Sequence, residues 1–300
     1  MEAQSNVSLA RYTTLKVGGV AGSFCQPASV DELAQVASDL KQRQEPFFIL
    51  GGGSNLLVSN EGFEGTVVRT AKLIEMRQLE SDVIEADAGA RLPHLAKYAA
   101  SLGLSGLEFL VGVPGTVGGA VIMNAGAHNS CVANILLDAT VFDTATNDIH
   151  KMSNSELKFV YRHCALDPAR HVVLSARFKL IGDDRATIEQ KTKHNEEYRW
   201  KTQPLGWPNA GSTFKNPEPT RSAGLLLDQS GAKELKEGQA AVSSIHANFV
   251  INTGGATSQD VTSLLKRMQE GVLKKFEIQL HPEWKTLGNF SESEQEIWRE

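Results

Sequence analysis

The stretch Gly51-Gly52-Gly53-Ser54-Asn55 lies between two apolar runs, Phe47-Phe48-Ile49-Leu50 and Leu56-Leu57-Val58. Three consecutive glycines carry a backbone-entropy cost that a plain turn rarely needs. They strip every Cβ from a short loop, so that backbone N–H groups can converge on an anion, and phosphate is the usual occupant of such a nest. A dinucleotide fingerprint or a P-loop continues directly into a helix. Here a second strand is expected instead, and no G-x-x-x-x-G-K-[ST] occurs. The loop points to a nucleotide or dinucleotide held by a fold other than the Rossmann type, with a glycine-rich hairpin turn as the alternative.

Upstream, residues 28–43 read as a helix. Ser29 and Glu32 form a capping box, and Val30, Leu33, Val36, Ala37 and Leu40 line one face. Downstream, a strand is expected over 66–69, another over 83–86, and a helix over 92–102 that Gly103 stops. Residues 112–120, Gly-Val-Pro-Gly-Thr-Val-Gly-Gly-Ala, form a second glycine-dense stretch, followed by a small apolar tail at 121–127. Two such stretches suit an extended dinucleotide, gripped at its pyrophosphate by one and nearer its ring by the other. The alternative is a tight corner, because Pro114-Gly115 is type II turn chemistry. Strands are expected at 136–142 and 171–180, and a charged helix from Asp183 to Trp200 with an almost wholly solvated face. The remainder reads as helix 222–229, strand 248–252, helix 258–276 and strand 277–280.

The chain has 300 residues, 41% hydrophobic and 22% charged, and a formal net charge of −5. Without a basic block, nucleic acid is not expected as a partner. No apolar run approaches the ~18 residues of a membrane span, and residues 1–6 carry no basic region followed by an apolar core, so a cytoplasmic protein is expected. Cys25, Cys131 and Cys164 are odd in number and far apart, and no metal site is expected.

Residues 203–217 crowd polar groups between prolines and glycines. Ser212, Lys215 and Asn216 therefore sit on a restrained loop able to aim a hydroxyl, a cation and an amide at one ligand. Ser212 lacks a G-x-S-x-G context, which disfavours a hydrolase nucleophile but leaves proton donation open. Tyr161-Arg162 opens a short polar segment, and Pro282 fixes Glu283 just beyond a strand end.

In order and together, these motifs resemble the UDP-N-acetylenolpyruvoylglucosamine reductase family. The resemblance spans about residues 9–284 and rests on residues 13–19, 50–58, 112–120 with 123–127, Tyr161-Arg162, 211–217, 223–226, 246–249 and Pro282-Glu283. It implies an α+β fold: a vanillyl-alcohol-oxidase-type FAD-binding region of two α+β subdomains, residues 1–70 and 71–182, plus a smaller α+β substrate-binding domain, residues 183–300. It implies bound FAD, NADPH as hydride donor, and a UDP-sugar substrate, UDP-N-acetylglucosamine enolpyruvate, reduced to UDP-N-acetylmuramate for peptidoglycan. Carried over residue by residue, Gly51, Gly52, Gly53, Ser54, Asn55 and Leu56 hold the pyrophosphate. Pro114, Gly115, Thr116, Gly118 and Gly119 lie along the flavin. Arg162, Ser212 and Glu283 are catalytic, and Lys215 and Asn216 bind substrate. The compact length resembles the family's second form, which lacks an extra tyrosine-bearing loop. Two departures stand out: Cys164 replaces a serine, and His281 replaces the first glutamate of Leu-Glu-Pro-Glu.

Three other readings compete. An FAD-linked oxidase would consume oxygen rapidly, a non-catalytic flavin binder would not bleach with NADPH, and a nucleotide-binding module without flavin would be colourless.

Overall fold

The computed structural model describes residues 3–298. The chain forms two units. Among the described residues, the first comprises 3–4, Phe24–Gly52 and Gly65–Arg199; the second comprises Ser5–Ser23, Gly53–Glu64 and 200–298. The backbone therefore changes unit inside the glycine loop, between Gly52 and Gly53.

The first unit is built on a five-stranded antiparallel sheet. Its order is Asp148–Ser153, Leu136–Asp143, His171–Lys179, Val83–Asp87, Met76–Glu80. The central strand His171–Lys179 is almost continuously buried, as a β-branched and apolar run covered on both faces must be. Helix Leu92–Ser101 takes Pro93 in its first turn and buries Leu92, Leu95, Ala96 and Ala99. These pack with Ile84, Ala86, Val117, Val121 and Phe178 in one core. Helix Val30–Gln42 buries Leu33, Ala37 and Leu40 against Val68, Phe142, Val172 and Leu174. The expected cap is present: Ser29 Oγ accepts from Glu32 N–H at 3.1 Å, although the reciprocal arm of Glu32 takes the Ala28 N–H. Strand Phe47–Leu50 pairs in parallel with Thr66–Arg69 of the longer strand Phe63–Arg69.

In the second unit, helix Ser258–Phe276 packs on an antiparallel sheet of Lys236–Glu237, Ala240–Val242 and Val250–Asn252. Leu264, Leu265 and Met268 of that helix share a core with Leu57, Phe214, Leu227, Val250, Leu280 and Trp284. Strand Leu56–Val58, which follows the glycine loop as expected, pairs in parallel with Lys285–Leu287.

The expected strand at 277–280 is not formed. Glu277 turns left-handed at φ 59° and caps the preceding helix, its N–H donating to Leu273 O at 2.9 Å. Leu280 goes into the core, and its carbonyl accepts from Gln269 Nε2 at 2.8 Å instead of from a neighbouring strand. Within the second glycine stretch, Val117–Ile122 is helical. Gly118 and Gly119 disfavour a helix, and burial of Val117, Ala120 and Val121 overrides that preference. Polar edge strands such as Met76–Glu80 and Asp148–Ser153 carry no apolar alternation, so periodicity does not reveal them.

Candidate active site and cofactor cradle

In the first unit the glycine loop meets the second glycine stretch. A Cβ on Gly51 would stand 2.3 Å from Thr116 Oγ1, and one on Gly52 would stand 3.0 Å from Gly115 Cα. Gly115 itself is at φ +140°. Side chains would force these two backbones apart, so glycine is required for their approach. Thr116 Oγ1 is buried and has no hydrogen-bond partner among the described residues. A buried hydroxyl left unsatisfied is costly, and a phosphate or carbonyl oxygen of a bound cofactor is the kind of acceptor it lacks. The neighbouring positions divide by role. The N–H groups of Val117 and Gly118 are already given to Ala90 O and Ala88 O, at 3.0 and 2.9 Å. A Cβ on Gly118 would press on Ala88 Cβ at 3.2 Å, whereas one on Gly119 would meet only Thr116 Oγ1, at 3.9 Å.

Arg162 sits in a tight turn of this unit. Val160 and His163 exchange backbone hydrogen bonds of 3.0 and 3.3 Å, and Arg162 between them is left-handed at φ 55°. A long side chain in that conformation is uncommon and marks a constrained site. Its Nη2 donates to Gly126 O at 3.1 Å, and its guanidinium lies 5.1 Å from the Tyr161 ring centroid. Buried Asn124 braces the turn, donating to Val160 O at 2.9 Å and accepting from Ala133 N–H at 3.0 Å. Cys164 is buried, and its thiol donates to Ile122 O at 3.4 Å. Burial pushes that thiol's pKa up.

In the second unit, Phe214 and Pro282 face each other across an antiparallel bridge. Glu283 N–H donates to Thr213 O at 2.8 Å and Lys215 N–H to His281 O at 2.9 Å. This register sets Ser212 and Glu283 on neighbouring segments of one unit. Gly211 precedes Ser212 at φ +76°, its N–H held by Asn209 Oδ1 at 3.0 Å. Asn55, expected to hold phosphate, also braces the carboxylate segment: its Nδ2 donates to Glu283 O at 3.2 Å and its carbonyl accepts from Lys285 N–H at 3.0 Å. Gly53 is at φ +61°, where a Cβ would strike Tyr12 O at 2.1 Å, and its carbonyl accepts from Thr14 N–H. Leu56 is buried in strand Leu56–Val58, and Asn216 Oδ1 accepts from Ala223 N–H at the start of helix Ala223–Gln229.

Two cationic residues escaped the sequence reading. The pKa of Lys285 is lowered, first by desolvation and then by the Lys215 charge, and both lysines belong to the second unit. Such a pair suits an anion carrying several charges. In the first unit, Arg199 is 9 % exposed, its Nε has no partner among the described residues, and burial pushes its pKa down to about 10. A Cβ on Gly112 would stand 2.4 Å from Arg199 Cδ, so the guanidinium stem lies against the head of the second glycine stretch. One signal could have flagged it: Ile188, the other buried residue of helix Arg185–Thr202, lies eleven residues earlier and thus on the same face.

A glycine cradle whose one buried hydroxyl is unsatisfied, carried on an α+β scaffold, fits an extended dinucleotide. Residues 22–153 match the family described as FAD binding domain, and residues 203–287 match the family described as UDP-N-acetylenolpyruvoylglucosamine reductase, C-terminal domain. The class is therefore that of FAD-dependent flavoprotein oxidoreductases. A UDP-N-acetylenolpyruvoylglucosamine reductase of Synechococcus sp. (strain RCC307) is 45% identical over 97% of this chain and 96% of its own. The reductase of Parasynechococcus marenigrum (strain WH8102) is 43% identical over 95% of this chain and 96% of its own. The crystal structure of the Thermus caldophilus enzyme of that name superposes with a TM-score of 0.83 at 37% identity, covering 96% of this chain and 100% of that one. The chain belongs to the UDP-N-acetylenolpyruvoylglucosamine reductase family.

Proposed function

We infer that this chain catalyses the FAD-dependent, NADPH-driven reduction of UDP-N-acetylglucosamine enolpyruvate to UDP-N-acetylmuramate, a step of peptidoglycan precursor synthesis. Bound FAD would supply the hydride transfer, with NADPH as the source of the hydride and the vinyl carbon of the substrate as its destination. The protein's part is to handle the charge and the proton. Hydride addition to an alkene beside a carboxylate builds enolate-like negative charge. Arg162 and Glu283 polarise that carboxylate, and stabilising charge that develops only in the transition state is what accelerates the step. The Ser212 hydroxyl then gives its proton to the adjacent carbon, which balances the reduction as one hydride plus one proton. A serine is a weak acid, but an enolate is a strong base, and placement supplies much of the rate.

Carrying this reading is the backbone register that sets Ser212 beside the Glu283 segment, in which Glu283 N–H donates to the carbonyl of Thr213, the residue after Ser212. Gly51, Gly52, Gly53, Ser54, Asn55 and Leu56 are assigned to the FAD pyrophosphate. Pro114, Gly115, Thr116, Gly118 and Gly119 are assigned to the flavin, and Lys215 and Asn216 to the UDP-sugar. Lys285 joins Lys215 in that role because it lies two residues beyond Glu283, on the segment that bonds to Thr213 and Lys215. Residues 1–70 and 71–182 are assigned to the two FAD-binding subdomains and residues 183–300 to the substrate domain. The reaction is assigned to the cytoplasm, without nucleic-acid or membrane partners. No helix of the described residues is long and apolar enough to cross a membrane.

The test separates the half-reactions. In Ser212→Ala, anaerobic flavin bleaching by NADPH stays within about twofold of the parent, while recolouring by the enolpyruvyl substrate slows by a factor of ~100 or more. Equal slowing of both phases would remove Ser212 as proton donor.

A further inference from the structure

The hydroxyl assigned to protonation is useful only if its backbone is fixed, and one buried side chain does much of that fixing. Asn248 is 4 % exposed. Its Oδ1 accepts from Phe214 N–H at 2.9 Å, and its Nδ2 donates to Phe214 O, also at 2.9 Å. Its own carbonyl accepts from Thr213 N–H at 2.8 Å. The amide thus takes both backbone groups of one residue, as a neighbouring strand would. The other edge of the segment is held by Glu283 N–H and His281 O. Between them, these bonds use the N–H and C=O of Thr213 and Phe214 and the N–H of Lys215. Ser212 is the first residue outside this lock. Asn248 is held in turn: its N–H donates to His246 Nδ1 at 3.1 Å, and that ring abuts Gly224, where a Cβ would stand 2.7 Å from His246 Cε1.

We propose that Asn248 is a positioning residue for the reductive step, holding Ser212 in line by acting as a one-residue surrogate strand along Thr213 and Phe214. This rests on the reading of Ser212 as proton donor. Only a side chain with a donor and an acceptor in the amide's arrangement can serve both groups of Phe214, since removing one leaves a buried partner unsatisfied. Aspartate has the same shape and tests the requirement directly. Protonated, it presents a hydroxyl to Phe214 O and a carbonyl oxygen to Phe214 N–H. Ionised, it has no donor and sets a negative charge against Phe214 O. The other titratable groups around the segment, His246, Lys215, His281 and Glu283, are shared by the parent, whose profile is the control.

The experiment uses the FAD-loaded protein, reduced anaerobically with dithionite and mixed with the enolpyruvyl sugar nucleotide across a pH series. In Asn248→Asp, the recolouring rate falls as pH rises through the carboxyl titration. The two limbs differ by about 100-fold, the scale of a ~1 Å misplacement, while bleaching by NADPH follows the parent at every pH. Added to Ser212→Ala, the Asn248→Asp substitution slows recolouring no further and adds no pH dependence, because the clamp acts through Ser212. Asn248→Ser, smaller and lacking both bonds to Phe214, slows recolouring at all pH values and serves if the aspartate variant fails to accumulate. A parental pH profile in Asn248→Asp, a parental rate in Asn248→Ser, equal loss of both half-reactions, or further slowing in the double variant would each overturn the clamp. A parental rate in Ser212→Ala alone would instead remove the proton-donor reading, and the clamp's purpose with it.

Discussion

At the scale of single residues, the cradle separates glycines required by the protein from those available to a ligand. Gly51, Gly52 and Gly118 are crowded by Thr116, Gly115 and Ala88, whereas Gly119 is open. Gly119→Ala is therefore expected to stabilise helix Val117–Ile122 by up to about 1 kcal/mol in the apoprotein, while lowering FAD affinity at least tenfold. Thermal melting of the apoprotein and fluorimetric FAD titration check the two parts, and unchanged affinity would take Gly119 out of the cofactor site. Arg199 makes the opposite point. A desolvated guanidinium without a counter-charge is destabilising, and an apolar replacement of similar length commonly recovers about 1 kcal/mol or more. Arg199→Met should raise the apoprotein's melting temperature by a few degrees. A fall would mean that packing of the Arg199 stem on Gly112 outweighs the charge penalty. Sequence reading found the glycines because their chemistry is local. It missed Arg199 because burial on a helix with an otherwise solvated face is decided by what packs there.

At the scale of elements, boundaries were legible wherever periodicity and end signals agreed. Helix Ser258–Phe276 has the residues expected of it, and its cap explains the sharp start. Thr257 Oγ1 accepts from Asp260 N–H at 3.0 Å, and Asp260 Oδ2 accepts from Thr257 N–H at 3.0 Å. Thr257→Ala should cost about 1 kcal/mol, read as a lower denaturation midpoint with an unchanged slope against denaturant. A change below a few tenths would assign the cap's work to Asp260 alone. The expected strand at 277–280 failed for an equally physical reason. Ile278 and Leu280 alternate as a strand would, but the alternation serves core packing, and the ladder forms later at Lys285–Leu287, opposite Leu56–Val58. Alternation records which side chains are buried, not which backbone groups pair.

At the scale of the whole molecule, buried charge sets the response to acid. In the first unit, Asp143 is 4 % exposed and receives Arg170 Nε at 2.7 Å and the Ala145 N–H at 2.9 Å. The Arg170 hydrogen bonds, chiefly, hold its carboxyl well below the usual range. A carboxyl whose folded pKa is depressed adds stability above its unfolded value of about 4, and that contribution drains away as pH falls toward the folded value. The melting temperature of Asp143→Asn should therefore lie below the parent's near neutrality, and the gap should narrow progressively as pH falls below ~4. A constant gap across that window would mean the loss is one of shape, not charge. The same scale separates what local sequence encodes from what it cannot. The amino-acid order alone determined the glycine-lined loop followed by a strand, the amphipathic helices, and the motif series that marks the family. These follow from backbone freedom and side-chain period, which depend on near neighbours. Only the tertiary structure decided that Asn55 braces Glu283, that Asn248 clamps Phe214, and that Thr116 Oγ1 lies buried and unsatisfied. Those partnerships join residues as far as 228 positions apart, and a hydrogen bond across that distance is fixed by the packing of the cores, not by any local pattern.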